Sequence, residues 1–174
     1  MAFQPHTENQ AYTFLLEGHL RGFIHNLRKL PVEKWDWTPD IAAPTPRILA
    51  VHAWQWLQCD RHHIAEPDAS LHPAILEVPD DPMEICNALE EETNRWVALL
   101  GEMTPEQFEE ERTQFNGDFR LNIRGFVCHI IQNTIYKHGQ FSTLFFALGM
   151  DGTEAYSAPF PPTFYAQRFG QSTE

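Results

Sequence analysis

One stretch limits the possible folds more than any other. Residues 122–148, NIRGFVCHIIQNTIYKHGQFSTLFFAL, carry the longest unbroken helical pattern in the chain, and Gly149 ends it. Ile123, Val127, Ile130, Ile131, Thr134, Phe141, Phe145 and Leu148 recur at three- and four-residue steps. That is the period of a buried helix face. Beside the stripe runs a polar row of His129, Asn133, Lys137 and Gln140. Polar side chains on the flank of a core helix cost free energy unless something in the interior uses them. The row therefore either lines a site or is solvated at the edge of a bundle.

Three further helices precede this one. The first covers residues 8–30, with Tyr12, Leu15, Leu16, His19, Phe23, Leu27 and Leu30 on one face, and Pro31 ends it. His19 lies on the apolar face as a satisfied core residue, and His25 lies off it. Gly18 and Gly22 weaken the helix intrinsically and permit close contact with a neighbour. Thr45-Pro46 opens the second helix, which runs to about Ile64. At 100° per residue, Ile48, His52, Trp56, Cys59 and His63 share a sector about 80° wide, which points His52 and Trp56 into the core. Asp81-Pro82-Met83-Glu84 is a capping box for a third helix ending at Leu100, with Gly101 as its stop. Its buried side is Ile85, Leu89, Trp96 and Leu99 or Leu100. Glu90, Glu91 and Glu92 read as a solvated face.

The connections are long and rich in proline. Residues 31–45 have no regular pattern and place Trp35 and Trp37 as lids on the core. Residues 65–80 are a second proline-broken connection. Thr104-Pro105-Glu106-Gln107 repeats the cap signature and opens a short helix to about Glu111. Residues 112–121 hold an Asn-Gly turn between alternating apolar and polar residues, the one hairpin-like signal. After Gly149 comes a tail rich in proline and aromatics. The expected fold is all-α: one domain, a four-helix bundle with crossover connections, core 8–150 and tail 151–174.

Bulk properties exclude several functions. A chain of 174 residues with 43% hydrophobic and 13% aromatic content can build a full core without metal or disulfide support. A net charge of −12 argues against nucleic acid and against an anionic membrane surface. No apolar run is long enough for a membrane span, and residues 1–10 do not look like a signal peptide. Cys59, Cys86 and Cys128 are odd in number and far apart, which fits small core residues in a reduced, cytoplasmic setting. There is no phosphate-binding glycine loop, nucleophile elbow or paired Cys motif. The chemical candidates are His52 and the polar row: Asn133 and Lys137 stack on adjacent turns, and His52 meets them if helices two and four are neighbours.

Three segments resemble the DinB/YfiT-like superfamily of four-helix bundles: the Trp35-Asp36-Trp37-Thr38-Pro39 run, the stretch from Thr45 to His52, and the stretch from Asn133 to Gln140. In metal-binding members, helix two supplies one His and helix four two more, in a pattern close to His-x-x-x-His-Arg-x-Gln. The three hold a divalent metal, often zinc or nickel, with one coordination position open. Some members are transferases or isomerases that use low-molecular-weight thiols, and members often self-associate. Carried over by position, His52 matches the helix-two ligand and Gln140 the glutamine. Asn133 and Lys137 stand at the two other ligand positions, and His138 at the arginine. Asn offers only a neutral carbonyl, and a charged Lys repels a cation.

Three readings follow. The first is a small-molecule-binding or non-catalytic protein with a degraded metal site and a pocket of His52, Trp56, His129, Asn133, Lys137 and Gln140. Here the Lys137 ammonium takes the place of the cation, bonded to Asn133 and Gln140. The second is a metal-dependent thiol transferase or hydrolase with a rearranged ligand set that includes His52 and His129. The third is a homodimeric interaction module, with Gly18 and Gly22 at the contact. His52 and Lys137 are the catalytic candidates, by proton transfer, if the protein is an enzyme.

Overall fold

The computed structural model describes Pro5 and residues 7–66, 77–114 and 119–150. Among these residues there are four α-helices: α1 (Glu8–Lys29), α2 (Pro46–Ala65), α3 (Pro82–Glu102) and α4 (Ile123–Ala147). An antiparallel ribbon of β1 (Glu111–Gln114) and β2 (Phe119–Asn122) precedes α4, as the hairpin signal implied. The Asn-Gly turn, residues 67–76 and the tail 151–174 lie outside the described residues. No helix among the described residues is long and apolar enough to cross a membrane.

The helix starts follow their caps. The Thr45 hydroxyl accepts from the Ile48 amide at 3.2 Å, Asp81 Oδ1 from Met83 at 2.9 Å, and Asn122 Oδ1 from Gly125 at 2.9 Å. Each cap satisfies an amide that the helix leaves orphaned, a contribution of about 1 kcal/mol. Gly149, at φ 73°, follows α4 as expected. Gly101 does not stop α3. The helix runs through it to Glu102 and ends where Met103 turns extended and drops its side chain into the core. Thr104 and Gln107 do form a reciprocal box, with Gln107 Oε1 accepting from the Thr104 amide at 2.7 Å. The box opens only a 3-10 turn, Gln107–Glu109, because the chain must straighten into β1 at Glu111.

The principal packing pairs are α1 with α3 and α4, and α2 with α3 and α4. Consecutive helices α1 and α2 therefore sit across a diagonal, as do α3 and α4, which is why their connections cross the ends. Helix α4 touches two neighbours and buries more than one stripe. Besides the expected residues it buries Phe126, Lys137, His138, Ser142 and Leu144, with Leu148 half-buried. Trp35 is fully buried and Trp37 packs half-buried beside the core. Trp96 ties α3 to α2, its indole N–H donating to the Leu57 carbonyl at 2.9 Å.

Several faces differ from expectation. Leu15 is exposed on α1, whereas Gly18 and Gly22 are buried inside the protomer, so they serve contacts within the chain. The buried face of α2 is Leu49, Ala53, Leu57, Asp60 and Ile64. Ile48 is 54% exposed, and His52, Trp56 and Cys59 are half-buried, leaving His63 as the fully buried member of the expected sector. That sector is the flank of α2 beside α4 rather than the centre of the core. Glu92 is not solvated: at 1% exposure it is held by Arg61 and by Arg95, the latter at 3.2 Å. Three consecutive acids cannot share one helix face, so one of them turns inward. Cys86 is buried, Cys59 half-buried and Cys128 exposed, so only the first is a plain core residue.

Gly125 sits where β2 meets α4. A Cβ added there would lie 2.3 Å from Leu121 Cγ. Alanine would favour the helix by up to about 1 kcal/mol but force Leu121 aside, and such overpacking costs about 1–3 kcal/mol. Gly125→Ala is therefore expected to lower stability, measured as a reduced denaturant midpoint at unchanged m-value.

Candidate functional site

The polar row of α4 faces α2, and the two helices run antiparallel. His129 meets Asp60 at one end, and Lys137 sits close enough to His52 at the other for its charge to act on the imidazole. Trp56 lies between these ends. Its indole N–H donates to His52 Nε2, and its ring meets His129 edge-on at 5.2 Å. His52, Trp56 and Asp60 recur every four residues, the repeat that brings a helix flank back to one neighbour. The result is a polar seam between α2 and α4. Of the six expected pocket residues, His52, Trp56, His129 and Lys137 lie along it; Asn133 lines a groove on α4 with His129 and with Tyr12 and Leu15 of α1, and Gln140 accepts from Lys137 Nζ at 3.5 Å.

The state of His52 follows from its partner. An indole N–H only donates, so His52 Nε2 is the acceptor and the proton resides on Nδ1. Burial holds the imidazole below its ordinary pKa, and the Lys137 charge adds to that. His52 is thus a neutral donor at Nδ1 rather than an open Nε2 ligand. Lys137 is 8% exposed and has no carboxylate partner among the described residues. Burial pushes its pKa down. Its ammonium has Gln140 and the Tyr136 ring, 5.3 Å away. The expected bond to Asn133 is not formed: Asn133 Oδ1 is sealed from solvent with no hydrogen-bond partner among the described residues.

Asp60 is the residue that sequence reasoning missed. It is fully buried, and its Oδ2 accepts from His129 Nδ1 at 2.7 Å. The four-residue repeat from His52 through Trp56 leads to Asp60, one residue past Cys59. His138, at the family's arginine position, turns toward α1 and pairs with His19, Nδ1 to Nδ1, at 3.3 Å. It therefore lies on the other flank of α4, away from the seam.

The donor set does not fit a divalent cation. Of the three ligand positions implied by the resemblance, one is a His whose Nε2 is engaged by Trp56, one an amide and one an ammonium. Among the described residues no group of three His, Cys, Asp or Glu side chains converges. A zinc site needs three or four such ligands. Cys59 does not supply a thiolate, since burial pushes its thiol up to about 12.

The Asp60 contact raises the pKa of His129 above its ordinary value, against the opposing effect of burial. A raised folded-state pKa gives stability that is fully present below the unfolded value of about 6.5 and lost as pH rises through the folded value. The stability difference between wild type and His129→Gln should therefore be largest at acid pH and shrink above neutrality. Denaturant titrations at a series of pH values check this, and a difference that grows with pH would contradict it.

No protein-family model matches the sequence, and no curated protein does. Among solved structures the chain is similar to YfiT from Bacillus subtilis, described as a probable metal-dependent hydrolase with an unusual four-helix bundle topology. The likeness covers 86% of this chain and 95% of that one, at a TM-score of 0.64 and 14% identity. At that identity it carries the fold and not the activity. The chain has the DinB/YfiT-like four-helix-bundle fold.

Proposed function

We propose that this protein is a metal-independent, small-molecule-binding relative of the YfiT-like bundles, and that Lys137 and His52 hold an anionic group of its ligand. The observation that carries this reading is the indole N–H of Trp56 on His52 Nε2. It leaves His52 with Nδ1–H to offer, beside an ammonium that has no carboxylate partner among the described residues. Two donors from two helices, one of them charged, suit a carboxylate or another oxyanion. An ammonium kept in a largely buried place without such a partner costs stability, and an anion would offset that cost.

The solved likeness is to a probable metal-dependent hydrolase. A rearranged metal set here would have to draw on His52 and His129, yet Trp56 engages the first and Asp60 the second. That competition favours the binding reading.

Two measurements test it. Protein purified without a metal-affinity step should contain far less than one equivalent of zinc, nickel or iron by mass spectrometry. Titration calorimetry with hexanoate should detect binding that Lys137→Met weakens at least about tenfold, the worth of a lost charged hydrogen bond. The same variant should melt at a higher temperature in the absence of ligand, because it removes a desolvated charge. Stoichiometric metal that disappears in His52→Ala would establish the metal-dependent reading in its place.

A further inference from the structure

The outward side of α4 carries no charge. Charged residues make up 21% of the sequence and the net charge is −12, yet no exposed position of α4 from residue 128 to residue 147 is charged. Ile135, Tyr136 and Phe146 stand exposed there instead. Toward α1 the same face opens into a groove of about 680 Å³, walled by Tyr12 and Leu15 of α1 and by Cys128, Ile131, Ile135 and Tyr136 of α4. An uncharged apolar strip of this kind marks a contact surface. Gly139 lies in the strip, exposed and inside the helix, where a Cβ would meet nothing within 4 Å among the described residues. Glycine weakens a helix interior more than any residue but proline, and packing against the described residues does not call for it. A backbone that crosses the helix closely at that point does.

Residues 151–174 can supply that backbone, and they start from this helix. At the end of α4 the Gly149 amide donates to the Phe146 carbonyl at 2.9 Å and the Met150 amide to the Phe145 carbonyl at 3.2 Å. These paired bonds stop the helix and hold Met150 against it. The residues that follow include the aromatics Tyr156, Phe160 and Phe164 and a Pro-Phe-Pro-Pro run at 159–162. Proline keeps such a segment extended and lowers the entropy lost on docking. An extended chain advances about 3.1 Å per residue against about 1.5 Å for a helix. Returning along α4 from Met150, Tyr156 comes about level with Gly139, and Phe160 about level with Cys128 and Ile131. The tether holds the segment at an effective concentration of about a millimolar. A second copy lacks that advantage and would set two chains of −12 charge against each other.

We propose that the α1–α4 groove is a docking site for the chain's own residues 155–165, which return along α4, cross it at Gly139 and seat Phe160 against Leu15, Ile131 and Ile135. The contact is separate from the anion site, whose anchors Lys137 and His52 face each other across α2 and α4, and it stands or falls independently of that reading.

Cys128 reports on the groove. Its thiol is exposed among the described residues and donates to Tyr12 Oη at 3.7 Å, whereas Cys86 is buried and serves as a control on folding. The full chain is treated with N-ethylmaleimide, and each cysteine is followed by peptide mass spectrometry. Cys128 should react at least about tenfold more slowly in wild type than in Phe160→Asp, the factor that burying one phenylalanine supplies. The wild-type rate should not change when the protein is diluted, because the docked segment belongs to the same chain. Equal rates in wild type and Phe160→Asp would overturn the proposal. Protection that fades on dilution would also overturn it and assign the face to a second copy. If Phe160→Asp exposes Cys86 as well, Gly139→Leu decides, since it leaves the tail intact and fills the crossing point. Faster reaction at Cys128 alone in that variant supports the docking, and an unchanged rate overturns it.

Discussion

The side-by-side packing of α2 and α4 is the contact on which the molecule's chemistry depends. Neither helix follows the other in the chain. They become neighbours because α1 and α2 lie across one diagonal of the bundle and α3 and α4 across the other. The first crossover is pinned at its end: the Arg47 amide donates to the Trp35 carbonyl at 3.0 Å, while Trp35 itself is fully buried. Given that placement, Asp60 meets His129 and His52 approaches Lys137 without further adjustment.

Helix α4 carries polar groups on both flanks and stays a core helix because its remaining surface is apolar. Toward α1 it offers His138, paired with His19 and surrounded by Phe23. Toward α2 it offers His129, Asn133 and Lys137. The first flank is a contact between two imidazoles, Nδ1 to Nδ1. The second keeps a sealed acceptor and an ammonium that the protein's own carboxylates do not meet among the described residues.

The elements and their starts were legible because caps are local chemistry. Thr45 and Asp81 each announce a helix by a side chain that bonds an amide two or three residues on. The hairpin before α4 was legible for the same reason. What sequence could not convey was rotation about the helix axis. Helix α2 is apolar over such a wide arc that Ile48 and Leu49 are equally good core candidates by composition. Contact with two neighbours at once buried Leu49 and left Ile48 outside. The same ambiguity hid Asp60, a buried acid that meets His129 on the facing helix. Glu92 was hidden by its two acidic neighbours: it turns inward to Arg61 on another helix as well as to Arg95 on its own. Within the site, the row on α4 was visible as a row. Its split into donors and acceptors appeared only once Trp56 and Asp60 were in place across from it.

The ribbon before α4 has a consequence that outweighs its size. Asn122 is both the last residue of β2, paired with Glu111, and the cap of α4, and the Ile123 amide bonds the Glu110 carbonyl at 2.9 Å. Strand register and helix phase are thereby locked together. Slipping or inserting one residue at this joint would rotate all of α4 by about 100°. His129, Asn133 and Lys137 would then leave α2 as a group. Length variation among relatives of this chain should therefore be tolerated in the crossing connections and purged at the joint of Asn122 and Ile123, where a single codon gained or lost changes which face of the helix is inside.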